Sequence, residues 1–213
     1  MWNNINSLLP GRKNPFLLLL AALFAVSCSD ENDFVIEEPT AQGVFVDERD
    51  STEYRYVHIG GLDWTIDNLA YDLGDIDLSR VYQSVDDDAK QVYTTTKRAK
   101  YGMLYSYSGA VQAVPEGWRL PTDEDWAALE ASHGYLSESF NLLYGGYYTK
   151  NKYAAADNGN RFMGSWAYFW TVSGDSGKDG QYYFIRKKFY DRDYMERLSI
   201  EPEAYYLSVR LVR

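Results

Sequence analysis

The sequence predicts an α+β domain, because two helical segments precede a run of short strands and no strand–helix–strand alternation occurs. Three observations carry this: the alternating apolar and polar stretch at 54–59, a full helix start signal at 121–125, and aromatic strands separated by Gly, Asp and Asn turns through the last third. With 213 residues of which 46% are hydrophobic, the chain can bury one real core. No fixed-period repeat and no second domain are seen.

The domain is expected over residues 43–213. Val44-Phe45-Val46 and Tyr54 to Ile59 read as strands, and Gly60-Gly61 reads as the hairpin turn into Leu62 to Ile66. The acid-rich segment from Tyr71 to Thr96, with Asp86-Asp87-Asp88, reads as a long loop with short strands. A helix from Tyr105 to Val114 is expected ahead of Pro115. A clearer one begins after Pro121: Thr122 can cap its first turn, Asp123, Glu124 and Asp125 favour the positive end of its dipole, and Trp126, Leu129 and His133 share one face. Gly134 marks its stop. Strands are then expected at 144–148, 166–171, 181–185 and 205–212.

Ahead of the domain, Arg12 and Lys13 precede an apolar run from Phe16 to Val26, too short to span a bilayer and suited to a signal-peptide core. Ala25-Val26-Ser27-Cys28 resembles a bacterial lipobox, with Ala25 in place of the usual leucine. Residues 1–27 are therefore expected to be a lipoprotein signal peptide, with Cys28 acylated and holding the protein to a membrane without a transmembrane helix. Residues 28–42, beginning Cys28-Ser29-Asp30-Glu31, are expected to be a flexible acidic tether. The acids after Cys28 also resemble the signal that sends Bacteroidota lipoproteins to the outer face of the outer membrane. The localisation expected is thus the cell envelope, at the surface.

Composition removes several functions. Thirty-one acidic against 21 basic residues give a net charge of -10, so no nucleic-acid partner is expected. The single cysteine excludes an intramolecular disulfide or a multi-cysteine zinc site, and His58 and His133 leave few metal ligands or neutral-pH bases. No metal or cofactor is expected. Gly174-Asp175-Ser176-Gly177 copies a serine-protease nucleophile segment but reads as a turn, since no histidine context accompanies it. Asp86-Asp87-Asp88 lacks the closing Glu of a calcium loop.

A family resemblance then emerges. His58-Ile59-Gly60-Gly61-Leu62-Asp63-Trp64 leading to Asn68-Leu69, then Tyr101-Gly102-Met103-Leu104-Tyr105, then Pro115-Glu116-Gly117-Trp118-Arg119-Leu120-Pro121-Thr122-Asp123 with Trp126, then Phe169-Trp170-Thr171 and Ser208-Val209-Arg210, stand in the order of the Fibrobacter succinogenes major paralogous domain, which the chain resembles from about Tyr56 to Arg213. Thr171 replaces the usual serine, and Leu211 stands where a cysteine often does. The resemblance implies a C-type-lectin-like fold, two helices packed on small antiparallel sheets with the termini close together. The sugar-binding lectins carry a Glu-Pro-Asn or Gln-Pro-Asp calcium loop; Glu201-Pro202-Glu203 departs from it. Within the motifs, Trp64, Asn68, Trp118, Pro121, Trp126, Trp170 and Arg210 are expected to build the scaffold, indole rings carrying large areas to bury.

That leaves the tyrosines, 20 in all. Tyr147, Tyr148, Tyr153, Tyr168, Tyr183, Tyr190 and Tyr194 are too many to bury with satisfied hydroxyls, so several are expected to line a ligand-binding surface for a glycan or a protein. The function expected is a surface-anchored, non-catalytic recognition or adhesion module. Alternatives are an enzyme like the formylglycine-generating enzymes, which need reactive cysteines this chain lacks beyond Cys28, and a hypervariable receptor of a diversity-generating retroelement.

Overall fold

The computed structural model describes residues 42–82, 90–132, 134–136, 138–150, 160–178 and 181–213. Cys28, both segments ahead of residue 42, the Asp86-Asp87-Asp88 run, His133 and Tyr153 lie outside them.

Sheet one is a meander of β1 (Gln42–Asp47), β2 (Thr52–Ile59) and β3 (Leu62–Thr65). Gly60 and Gly61 both take positive φ, +62° and +80°, which a two-residue hairpin whose twist matches its strands requires. A two-stranded ribbon joins β4 (Ser79–Arg80) to β5 (Leu104–Tyr105), with α1 (Lys90–Tyr101) between them in sequence. Next come α2 (Tyr107–Ala113) and α3 (Asp123–Ala131). Of the later strands, β6 (Tyr147–Thr149) is central in a small sheet, pairing with β7 (Asn160–Arg161) on one side and the distant β11 (Tyr205–Tyr206) on the other. The strands β8 (Trp166–Gly174), β9 (Tyr183–Phe189) and β10 (Met195–Ile200) form the longest sheet, with β9 in the centre.

The architecture is mostly β, eleven strands in four small antiparallel sheets with three short helices among the described residues. It overturns both the α+β expectation and the C-type-lectin-like arrangement, because the helices do not form a layer packed on the sheets. Helix composition gives the reason. The seven-residue α2 buries only Gly109, Ala110 and Ala113, and α3 contributes two large apolar side chains, Trp126 and Leu129. Too little apolar area lies on them to cover a sheet, so strand and loop aromatics cover one another.

Two further expectations shift. The segment read as loop to Thr96 contains the start of α1, and the helix expected from Tyr105 is split, with β5 first and Ser106 then capping α2 by accepting a hydrogen bond from the Gly109 amide.

β8 stands between two cores. Its alternate residues Tyr168 and Trp170 enter one with Tyr54, Tyr105, Trp118 and Leu207, while Ala167 and Phe169 enter the other with Val57, Trp64, Trp126 and Val212. Trp126 stacks on Phe169 at 5.1 Å and meets Trp64 edge-on at 4.8 Å. The C-terminal segment closes the domain: the amides of Thr65, Leu69 and Arg119 donate to the carbonyls of Leu211, Val209 and Val212.

Arg210 is the bolt of this closure. Fully buried, it donates to Asn68 Oδ1 at 2.7 Å, the Thr65 carbonyl at 2.8 Å and the Asn141 carbonyl at 2.7 Å, with the Phe140 ring 5.2 Å from its guanidinium carbon. Burial pulls its pKa down to about 9, with the Asp67 charge opposing. Asn68 in turn donates to the Tyr101 carbonyl at 2.9 Å. Trp64, Trp118, Pro121, Trp126 and Trp170 are buried as well. Leu211, at the departure from cysteine, is core, and Thr171 keeps the hydroxyl of the usual serine, donating to the Phe184 carbonyl at 2.7 Å.

Candidate aromatic contact surface

The sheet β8–β9–β10 and the neighbouring β6–β7 pair bring aromatic rings into a continuous belt. Tyr205 lies 5.7 Å from Tyr147, and Tyr147 lies 6.0 Å from Phe162. Phe162 stacks on Trp166 at 3.7 Å, and Trp166 meets Phe189 edge-on at 4.7 Å. Cross-strand pairing of Trp166 with Phe189 sets this last contact, since both side chains then emerge on one face. Cations interleave: Lys187 Nζ sits 4.0 Å over Phe189 and 4.4 Å over Trp166, and the Arg192 guanidinium sits 4.1 Å over Phe189. Both cations share Glu196, at 3.2 and 3.0 Å, and Arg192 also donates to the Tyr194 hydroxyl at 2.6 Å. Phe162 holds a positive φ of 56°, a conformation an aromatic residue rarely adopts.

The turn carrying the outermost rings is fixed from within. Lys188, though buried, donates from Nζ to the Phe189 carbonyl at 2.6 Å and to the Arg192 carbonyl, and burial lowers its pKa. Tyr135 donates to the Asp193 carbonyl, and the Tyr190 amide donates to Ser165 at 3.1 Å. A buried lysine satisfied by turn carbonyls orders the backbone between Tyr190 and Tyr194.

The tyrosines singled out from the sequence divide. Tyr190 and Tyr194 are exposed, at 66% and 48%, whereas Tyr168 is 7% exposed and belongs to the core. Tyr147 is half-buried beside Tyr168 at 5.0 Å, and burial raises the pKa of both phenols. Tyr148 lies elsewhere, under the Arg80 guanidinium at 3.9 Å and beside Tyr206. Tyr183 is also apart, stacked on Tyr107 at 3.7 Å. The belt thus joins Tyr147 and, through Arg192, Tyr194 with Phe162, Trp166 and Phe189, three rings the sequence reading did not single out, while Tyr190 stands exposed on the adjoining turn. Strand alternation at Trp166 was a usable signal; the pairing of β8 with β9 that sets Phe189 beside it was not.

The residues with catalytic potential stay scattered. His58 pairs with Asp63 at 2.9 Å on the β2–β3 hairpin, and Ser176 occupies the turn after β8. Among the described residues no group of three or more His, Cys, Asp or Glu side chains is placed to hold a metal, and no helix is long and apolar enough to cross a membrane.

Fold and surface together define a small antiparallel β module with an aromatic interior and an aromatic, cation-laced face. Residues 57–139 match the family described as Fibrobacter succinogenes major domain. The matched stretch includes Trp64, Asn68, Trp118, Pro121 and Trp126; the belt residues from Tyr147 to Tyr205 lie beyond it. Comparison with curated proteins and with solved structures finds no match.

Proposed function

We propose that this chain is a non-catalytic recognition or adhesion module, held at the cell surface through acylated Cys28, that grips a glycan or protein ligand with its aromatic belt. The belt carries the reading. Exposed Phe162, Tyr190 and Tyr194, at 44%, 66% and 48%, surround rings and cations already ordered by stacking and ion pairing. Rigid Trp and Tyr rings lose little entropy on contact and, with Arg, dominate protein interfaces, which favours a protein partner over a glycan here.

Whole bacterial cells expressing the full chain, probed on an array of glycans and envelope proteins, test this. Cells bearing Cys28→Ala should shed the chain from their surface. Cells bearing Phe162→Ala, Tyr190→Ala and Tyr194→Ala together should keep it there, as antibody staining shows, yet lose adhesion by about tenfold or more. Adhesion that survives the triple replacement, or no adhesion to any array component, overturns the reading.

A further inference from the structure

Away from the belt, a groove of about 560 Å³ opens between α2, the start of β9 and the 3₁₀ turn Pro202–Ala204. That volume is within the range of small-molecule sites. Two half-buried rings line it, Tyr107 and Tyr183, stacked at 3.7 Å with 28° between their planes. Tyr107 also meets the buried Trp170 edge-on at 5.5 Å, which ties the pair to the core. Burial and the hydrogen bond to Tyr183 raise the Tyr107 pKa, so its phenol stays protonated.

Around the rings stand groups suited to hydroxyls. Gln112 from α2 and Gln181 ahead of β9 are exposed and line the groove, and neither amide bonds another described residue. Each amide offers donors and an acceptor at one site, the combination a sugar hydroxyl uses. Ser108 adds a hydroxyl beside them. At one end Lys150 is already paired to Asp77 at 2.8 Å, and Glu203 adds a further negative charge. The groove therefore offers no unpaired cation for phosphate, sulfate or uronate, and its walls include an acid that repels them. A peptide adding to a strand edge is disfavoured too, because both edges of β9 are taken by β8 and β10.

From these observations we propose that the groove at Tyr107 and Tyr183 is a binding site for a neutral oligosaccharide, whose C–H face lies on the outer side of the stacked ring pair and whose hydroxyls bond Gln112, Gln181 and Ser108. The site is separate from the belt and stands without the reading given above.

Titration of the full chain with cellotriose, xylotriose, mannotriose and maltotriose, followed by calorimetry, tests it, with a sulfated disaccharide as the charged probe. At least one neutral trisaccharide should bind. Tyr183→Ala should weaken that binding by about tenfold or more, and Gln112→Ala with Gln181→Ala, both exposed and thus compatible with folding, by about fivefold or more. Tyr194→Ala, a belt change, should leave it unchanged, so failure of either surface is seen separately. Silence towards all four sugars, preferential binding of the sulfated probe, or binding indifferent to the glutamine pair overturns the proposal.

Discussion

Arg210 shows how a single residue can decide the stability of this domain. Its three best-placed acceptors come from two segments far from it in sequence, Thr65 with Asn68 and the half-buried Asn141, and the first two are buried with it. Removing the guanidinium strands these acceptors away from water, each at a cost of about 1 kcal/mol or more. Arg210→Met should therefore lower stability by about 3 kcal/mol, seen as a fall in the urea midpoint with the slope unchanged. Arg210→Lys should recover less than half, because one ammonium cannot reach three acceptors spread over a planar fork. The sequence marked Asn68 and Arg210 as scaffold through their motifs, but nothing local pairs two residues 142 positions apart. The same limit applies to Tyr107 and Tyr183: each is visible as a tyrosine, and only the fold stacks them.

At the scale of elements, legibility follows how local each signal is. The start of α3 is written in adjacent residues: Thr122 Oγ1 accepts from the Asp125 amide at 3.0 Å, and Asp125 accepts from the Thr122 amide at 2.7 Å. This reciprocal box satisfies two donors that the helix itself cannot. Thr122→Ala should cost about 1 kcal/mol and lower the melting temperature by about 3 °C in a calorimetric scan. Thr122→Ser should restore most of it, the hydroxyl being retained. The Gly60-Gly61 hairpin was legible for the same local reason. By contrast, α1 carries no acid in its first turn, and β7 is two residues long and paired by distant β6, so neither announces itself. The α+β expectation failed here: helix signals were counted, but the apolar area those helices could contribute was not. Tyrosine abundance likewise could not be divided between core and surface, since Tyr168 and Tyr190 differ only in what the other strands place over them.

At the scale of the whole molecule, carboxylates held by arginines, one of them across the length of the sequence, set the response to acid. Hydrogen bonding from Arg49 holds Asp47 below the usual carboxylate range. At Asp63, Asp67 and Asp125 burial pushes the pKa upward, but hydrogen bonds from His58 and Arg213, from Arg55, and from Arg119 respectively outweigh it, and all three end below their ordinary value of 3.8. A depressed folded pKa means that the unfolded chain binds more protons between the two values. The stability these groups add is thus present above about pH 4 and is lost as pH falls through their folded values. Between neutrality and about pH 5 this contribution is flat, while the repulsion of a chain charged -10 eases towards its isoelectric point near 4.7. Below that point both effects turn against folding, as the ion pairs are protonated and the net charge becomes positive. Urea midpoints measured at about pH 7, 5, 4 and 3 should therefore be highest near pH 5 and drop steeply by pH 3. Asp63→Asn, which removes the ion pair between the β2–β3 hairpin and Arg213 while leaving their backbone hydrogen bonds, should flatten that drop. A midpoint that stays level from pH 5 to pH 3 would overturn the claim that the paired carboxylates govern the response to acid.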